Sequence, residues 1–174
     1  MSWSNDLTKV KLTRAILAMS NKRDGGVIVI GIRELQDKQF DPVGLSASEA
    51  QTFNHDTMAD HVRQYADPYV DFTVRTIECG GKQFIVIQVK EFDEIPVLCK
   101  RDGTDLRNGA MYTRSRTKNE SAEVSSQSEM REIMDIAVDK GVRKFVTRSQ
   151  RVGLSLLMPK QDAMMFAKQL EDFA

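Results

Sequence analysis

Apolar residues recur at helical spacing near the start of the chain. Leu12, Ala15, Ile16 and Met19 fall at i, i+3, i+4 and i+7, which predicts a helix from Leu7 to Ser20. Ser4, Asn5 or Asp6 is its candidate cap, and Lys9, Lys11 and Arg14 occupy its other faces. The helix gives way to Asn21-Lys22-Arg23-Asp24-Gly25-Gly26, a turn that calls for glycine's backbone freedom. Next comes the unbroken run Val27-Ile28-Val29-Ile30-Gly31-Ile32, the pattern of a strand covered on both faces.

Further along, Arg33 to Gly44 is polar and predicts a loop. Met58, Val62, Tyr65 and Ala66 predict a second helix from Ser48 to Ala66, stopped by Asp67-Pro68. Asp71–Ile77 and Gln83–Lys90 alternate as strands do, and Cys79-Gly80-Gly81-Lys82 between them predicts a hairpin. Ile95–Cys99 and Ala110–Arg116 are further extended segments. Ser125, Ser126 or Ser128 is placed to cap a third helix reaching Phe145, with Met130, Ile133, Met134 and Ala137 facing inward. Leu154–Met158 is ambiguous, and Pro159 opens a last helix carrying Ala163, Phe166, Ala167 and Leu170. Helix, strand, helix, several strands and terminal helices make an α+β pattern, with a mixed sheet and a hairpin flanked by helices. The expected division is a domain over residues 1–138 and a helical appendage packed on it over 139–174.

Composition alters this picture little, since 41% hydrophobic and 29% charged residues in 174 are ordinary for a chain with a packed core. No apolar run approaches a membrane span, no secretory leader pattern opens the chain, and two cysteines make no disulfide framework. Cys79 and Cys99 are expected as buried reduced thiols of a cytoplasmic protein. The formal charge is zero, 25 basic residues against 25 acidic, which argues against an indiscriminate polyanion binder.

Charge distribution is more informative than its sum. Lys100, Arg101, Arg107, Arg114, Arg116 and Lys118 form one basic block, and Lys140, Arg143, Lys144, Arg148 and Arg151 another. An acidic block from Glu120 to Asp139 lies between them. Tyr112, Arg114 and Arg116 alternate along one predicted strand, so two guanidiniums and an aromatic would share a face able to bind phosphate and stack a base. The amides of Asp24-Gly25-Gly26 beside Lys22 and Arg23 would form an anion nest, with a plain helix-to-strand turn as the competing reading. The phosphate loop of nucleotide hydrolases is absent. His55 and His61, six apart, are read as surface residues, and Trp3 as a packing residue.

Several segments, in order, resemble the Schlafen/AlbA-type putative DNA-binding domain, a family also described as a divergent relative of AAA-type ATPases. They are Ala15-Ile16-Leu17-Ala18-Met19-Ser20-Asn21, Gly25-Gly26 with its apolar strand to Ile32, Val43-Gly44 and Pro68. Phe84-Ile85-Val86-Ile87-Gln88-Val89, Pro96-Val97 and Gly109-Ala110-Met111-Tyr112-Thr113-Arg114-Ser115-Arg116-Thr117 complete the set. The resemblance implies DNA or RNA binding; the residues themselves supply the expected contact set, Lys22, Arg23, Arg107, Tyr112, Arg114 and Arg116, with no catalytic residue or cofactor expected. It implies as an alternative a metal-dependent endoribonuclease holding Mg or Mn on Glu34 and Asp37. Against that alternative, the Glu-bearing strand and Glu-Phe-Lys-like triplet that usually lie upstream of the alanine-rich helix have no counterpart here, and Arg33 stands where an acidic residue is expected. A third possibility is a protein-interaction or nucleotide-binding subunit of a defence or regulatory complex, with a homodimer or partner protein docking on the C-terminal helices. The nucleic-acid reading requires that folding gather the dispersed cations into one continuous positive surface.

Overall fold

A computed structural model describes residues 1–35, 39–114 and 120–152. The chain divides into two compact units, Met1–Ala137 and Val138–Ala174. The expected last helix and Leu154–Met158 lie outside the described residues.

The first unit opens with α1 (Asp6–Ser20), capped by Asn5, whose Oδ1 accepts from the amides of Leu7 at 2.9 Å and Thr8 at 3.2 Å. Next come β1 (Gly26–Ile30) and a small hairpin, β2 (Arg33–Glu34) with β3 (Phe40–Asp41), inside the segment expected to be loop. The single helix expected over 48–66 is two, α2 (Ala47–Ala50) and α3 (His55–Arg63). The cause is local: the Asn54 side chain accepts from the amides of Asp56 and Thr57 and starts a helix of its own. β4 (Ala66–Asp67) follows, and the Asp67–Pro68 peptide bond is cis.

β5 (Phe72–Cys79) and β6 (Lys82–Val89) form the expected hairpin, with Gly80 and Gly81 both at positive φ in its two-residue turn. β7 (Leu98–Cys99) pairs with β4, and β8 (Tyr112–Arg114) pairs with β9 (Ser121–Glu123). α4 (Gln127–Arg151) begins where the serines place it: the Glu129 amide donates to Ser126 Oγ at 3.2 Å. The fold is α+β, with strands in small antiparallel sheets. No parallel pair occurs among the described strands, where a mixed sheet was expected. β1 reaches β6 from the opposite chain direction, and the other pairs are likewise antiparallel.

The principal sheet has the order β1-β6-β5. Ile30 on β1, Ile85, Ile87 and Val89 on β6 and Phe72 on β5 join Leu12, Ile16 and Leu17 of α1 in one buried cluster. β1 is not covered on both faces. Val27 and Val29 are 54% and 44% exposed, because they share a sheet face with Val86 and Gln88 of β6 and the core lies behind the other face. In the second unit, Val138, Val142 and Phe145 are exposed on their helix.

Two sequence readings change in the core. Cys99 is buried and its Sγ donates to the Arg101 carbonyl at 3.2 Å, whereas Cys79 sits exposed at the hairpin tip, not in the interior. His61, read as a surface residue, is half-buried. Its ring meets Trp3 edge-on at 5.5 Å and Tyr65 at 5.2 Å, in the aromatic cluster that buries Trp3. Burial lowers the His61 pKa below its ordinary 6.5, helped by the charge of Lys9 and opposed by that of Asp6. The unfolded chain therefore binds this proton more readily than the folded one. Stability is expected to fall as pH drops through 6.5 toward the lower folded value, and to be insensitive to this group above it. Urea unfolding of wild type and His61→Phe between pH 7.5 and 5 checks this, with a flatter profile expected for the variant.

Candidate nucleic-acid interface

The site grows out of the turn after α1. Asn21 is 1% exposed, and its Nδ2 donates to the carbonyls of Val97 and Tyr112, each at 2.9 Å. Its Oδ1 accepts from the Val97 amide at 2.8 Å. One buried amide thus ties the end of α1 to β8 and to the segment before β7, and every strong bonding direction but one lone pair is used. Lys22 and Arg23 follow at once, so the clamp on Asn21 fixes where they stand relative to Arg114 on β8.

Those three cations line one groove of about 860 Å³. Asn21 and Thr113 form part of its lining beside them. Ala122 on β9 and the start of α4 supply the rest: Ser125, Ser126, Ser128, Glu129, Glu132, Ile133, Asp135 and Ile136, together with Glu120. The volume is ordinary for a ligand site. Lys22, Arg23 and Arg114 are therefore brought together from segments ninety residues apart in the chain.

The remaining candidates fare differently. Tyr112 is 3% exposed, its hydroxyl accepts from the Arg107 amide at 2.9 Å, and the Arg14 guanidinium lies 5.2 Å from its ring centre. A ring enclosed in this way presents no open face to a base. Burial, the largest influence, raises its pKa. Arg107 is outside the groove and pairs with Glu123, the cross-strand partner of Tyr112. Arg116 and Asp37 lie outside the described residues. Glu34 is exposed on β2, opposite Phe40.

The anion nest is occupied by the chain itself. The Asp24 amide donates to the Glu91 carboxylate at 2.6 Å and the Gly25 amide to the Lys22 carbonyl at 3.0 Å. Gly25 serves a different purpose. It holds φ +70°, and a Cβ there would stand 2.1 Å from the Val89 carbonyl oxygen. The glycine lets the turn press against the end of β6.

Nor is the positive surface continuous. Glu120, beside Arg114's strand partner Ser121, shares the groove with the three cations, and Glu129, Glu132 and Asp135 make its α4 side acidic. The acidic block was visible in the sequence. Its position opposite Lys22 and Arg114 was not, because it depends on β9 returning beside β8 and on α4 starting just after it. The serine cap ahead of the acids was the available signal.

An antiparallel sheet packed on α1, with a charged groove lined by the turn after α1, β8, β9 and the start of α4, defines an α+β domain. The family model described as Schlafen, AlbA_2 matches residues 1–123, and the chain belongs to that family. At family level it is a nucleic-acid-related domain. Among solved structures, the DIP2311 protein from Corynebacterium diphtheriae resembles it at 16% identity with a TM-score of 0.49, over 74% of this chain. The match spans 19% of the length of that protein. No curated protein matches. Among the described residues no group of three His, Cys, Asp or Glu side chains is placed to hold a metal ion, and no helix is long and apolar enough to cross a membrane.

Proposed function

We propose that this domain binds DNA or RNA in the groove, through Lys22, Arg23 and Arg114, as a binding module to which no chemistry is assigned. The convergence of these three cations on one groove supports the reading; they do not form the continuous positive surface that the sequence called for, so binding rests on these three contacts. Family membership points the same way. The nuclease alternative gains no support from the described residues, among which no group of three His, Cys, Asp or Glu side chains is placed to hold a metal ion.

The test is fluorescence anisotropy with labelled single-stranded and duplex oligonucleotides over a salt series. Three phosphate contacts predict a log–log salt slope of about −2 for a single strand. Replacing Lys22 and Arg114 together by alanine is expected to weaken binding at least about tenfold and to flatten that slope by about 1.4. Binding that ignores both salt and these substitutions would place the nucleic acid elsewhere. No binding at low salt would end the proposal.

A further inference from the structure

The opposed charges of the groove carry more than the presence of a phosphate. Resting on the reading just given, we propose that the preferred ligand is an unpaired strand whose bases carry an exocyclic amino group, with its backbone on the Lys22–Arg114 wall and its base edges toward the carboxylates of α4.

A duplex presents phosphates on both sides of any groove that encloses it. Here one side would meet Lys22 and Arg114, and the other would meet Glu129, Glu132 and Asp135 of α4. Carboxylates repel phosphate and accept hydrogen bonds only. A single strand avoids the conflict because its two edges differ: one anionic, the other a row of base donors and acceptors. Cytosine N4 and adenine N6 are amino donors that a carboxylate accepts well. Thymine offers carbonyl oxygens at the corresponding positions, and those oppose a carboxylate. Glu132 and Asp135 are exposed on the first turns of α4, on the side that lines the groove, and Asn21 holds the opposite wall in place from within the core. The serines at the start of α4 add hydroxyls between the walls that can serve either partner.

The experiment measures anisotropy of labelled dA, dC and dT homo-oligomers of equal length, and of a duplex of the same length, with the full chain at low salt. Single strands of dA and dC are expected to bind at least about fivefold tighter than dT, and the duplex more weakly than either. Glu132→Gln combined with Asp135→Asn is expected to remove the gap between dA or dC and dT, since an amide can donate to thymine oxygens as readily as it accepts. Equal affinity for dA, dC and dT overturns the inference while leaving the groove reading in place. So does a duplex that binds tightest, or a base preference that survives the double variant. Failure of every oligonucleotide to bind overturns the groove reading itself, and this one with it. The wild-type comparison stands alone should the variant fold poorly.

Discussion

Asn21→Ala is expected to lower the free energy of unfolding by about 3–5 kcal/mol, from three buried hydrogen bonds lost at about 1–3 kcal/mol per stranded group with partial relaxation. The residue is fully enclosed, and truncation leaves two carbonyls, of Val97 and Tyr112, and one amide, of Val97, facing an apolar void. Asn21→Asp is the sharper variant. It keeps the acceptor for the Val97 amide but sets a second oxygen against both carbonyls, so it is expected to cost at least as much as alanine despite its matching shape. Urea unfolding followed by circular dichroism measures both. A loss below about 1 kcal/mol for either would mean that the clamp does not hold the walls of the groove together. Because Lys22 and Arg114 sit on either side of this clamp, any folded fraction of these variants is also expected to bind nucleic acid more weakly.

Gly25→Ala is expected to destabilise by more than about 3 kcal/mol, among the severe effects of single substitutions. Two costs add. The position holds φ +70°, which an L side chain adopts at about 1–2 kcal/mol. A methyl there would also meet backbone on two sides, 2.1 Å from the Val89 oxygen and 2.9 Å from the Glu91 nitrogen, and neither can yield without disturbing β6. Gly80→Ala separates the two costs. It shares the positive φ, at +56°, but faces nothing within 4 Å, so a loss of only about 1 kcal/mol is expected from it. Thermal or urea unfolding of the pair decides the matter. Equal losses would show that only the backbone angle counts, and that the turn does not press on β6.

The proposed nucleic-acid contacts and the stability of the fold thus share one stretch of chain. Ser20 and Asn21 are buried, Lys22 is partly exposed and Arg23 exposed, all within four consecutive residues. Substitutions at the first pair change folding, and Lys22 is the position expected to bear chiefly on affinity. That separation is what makes the charge variants clean probes of the groove.

Much of the fold is legible in the chain because it is local. The helical spacing of Leu12, Ile16 and Met19 marks α1, paired glycines mark the hairpin turn, and serines mark the start of α4. At Asn54 a capping side chain separates α2 from α3, which hydrophobic spacing alone joins into one helix. The run Val27–Ile32 shows the limit of such reading. Its composition suits a strand covered on both faces, but only the packing of the sheet decides that one face, with Val27 and Val29, is left open.

The amino-acid sequence by itself determined the α+β class, the family and a short roster of cations, since periodicity, turn chemistry and motif order are properties of neighbouring residues. The tertiary structure alone decided that Lys22 and Arg23 meet Arg114, that Tyr112 is enclosed and Arg107 paired elsewhere, and that an acidic wall faces the basic one. These depend on contacts between segments tens of residues apart, and the strength of a charge is set by what folding places opposite it.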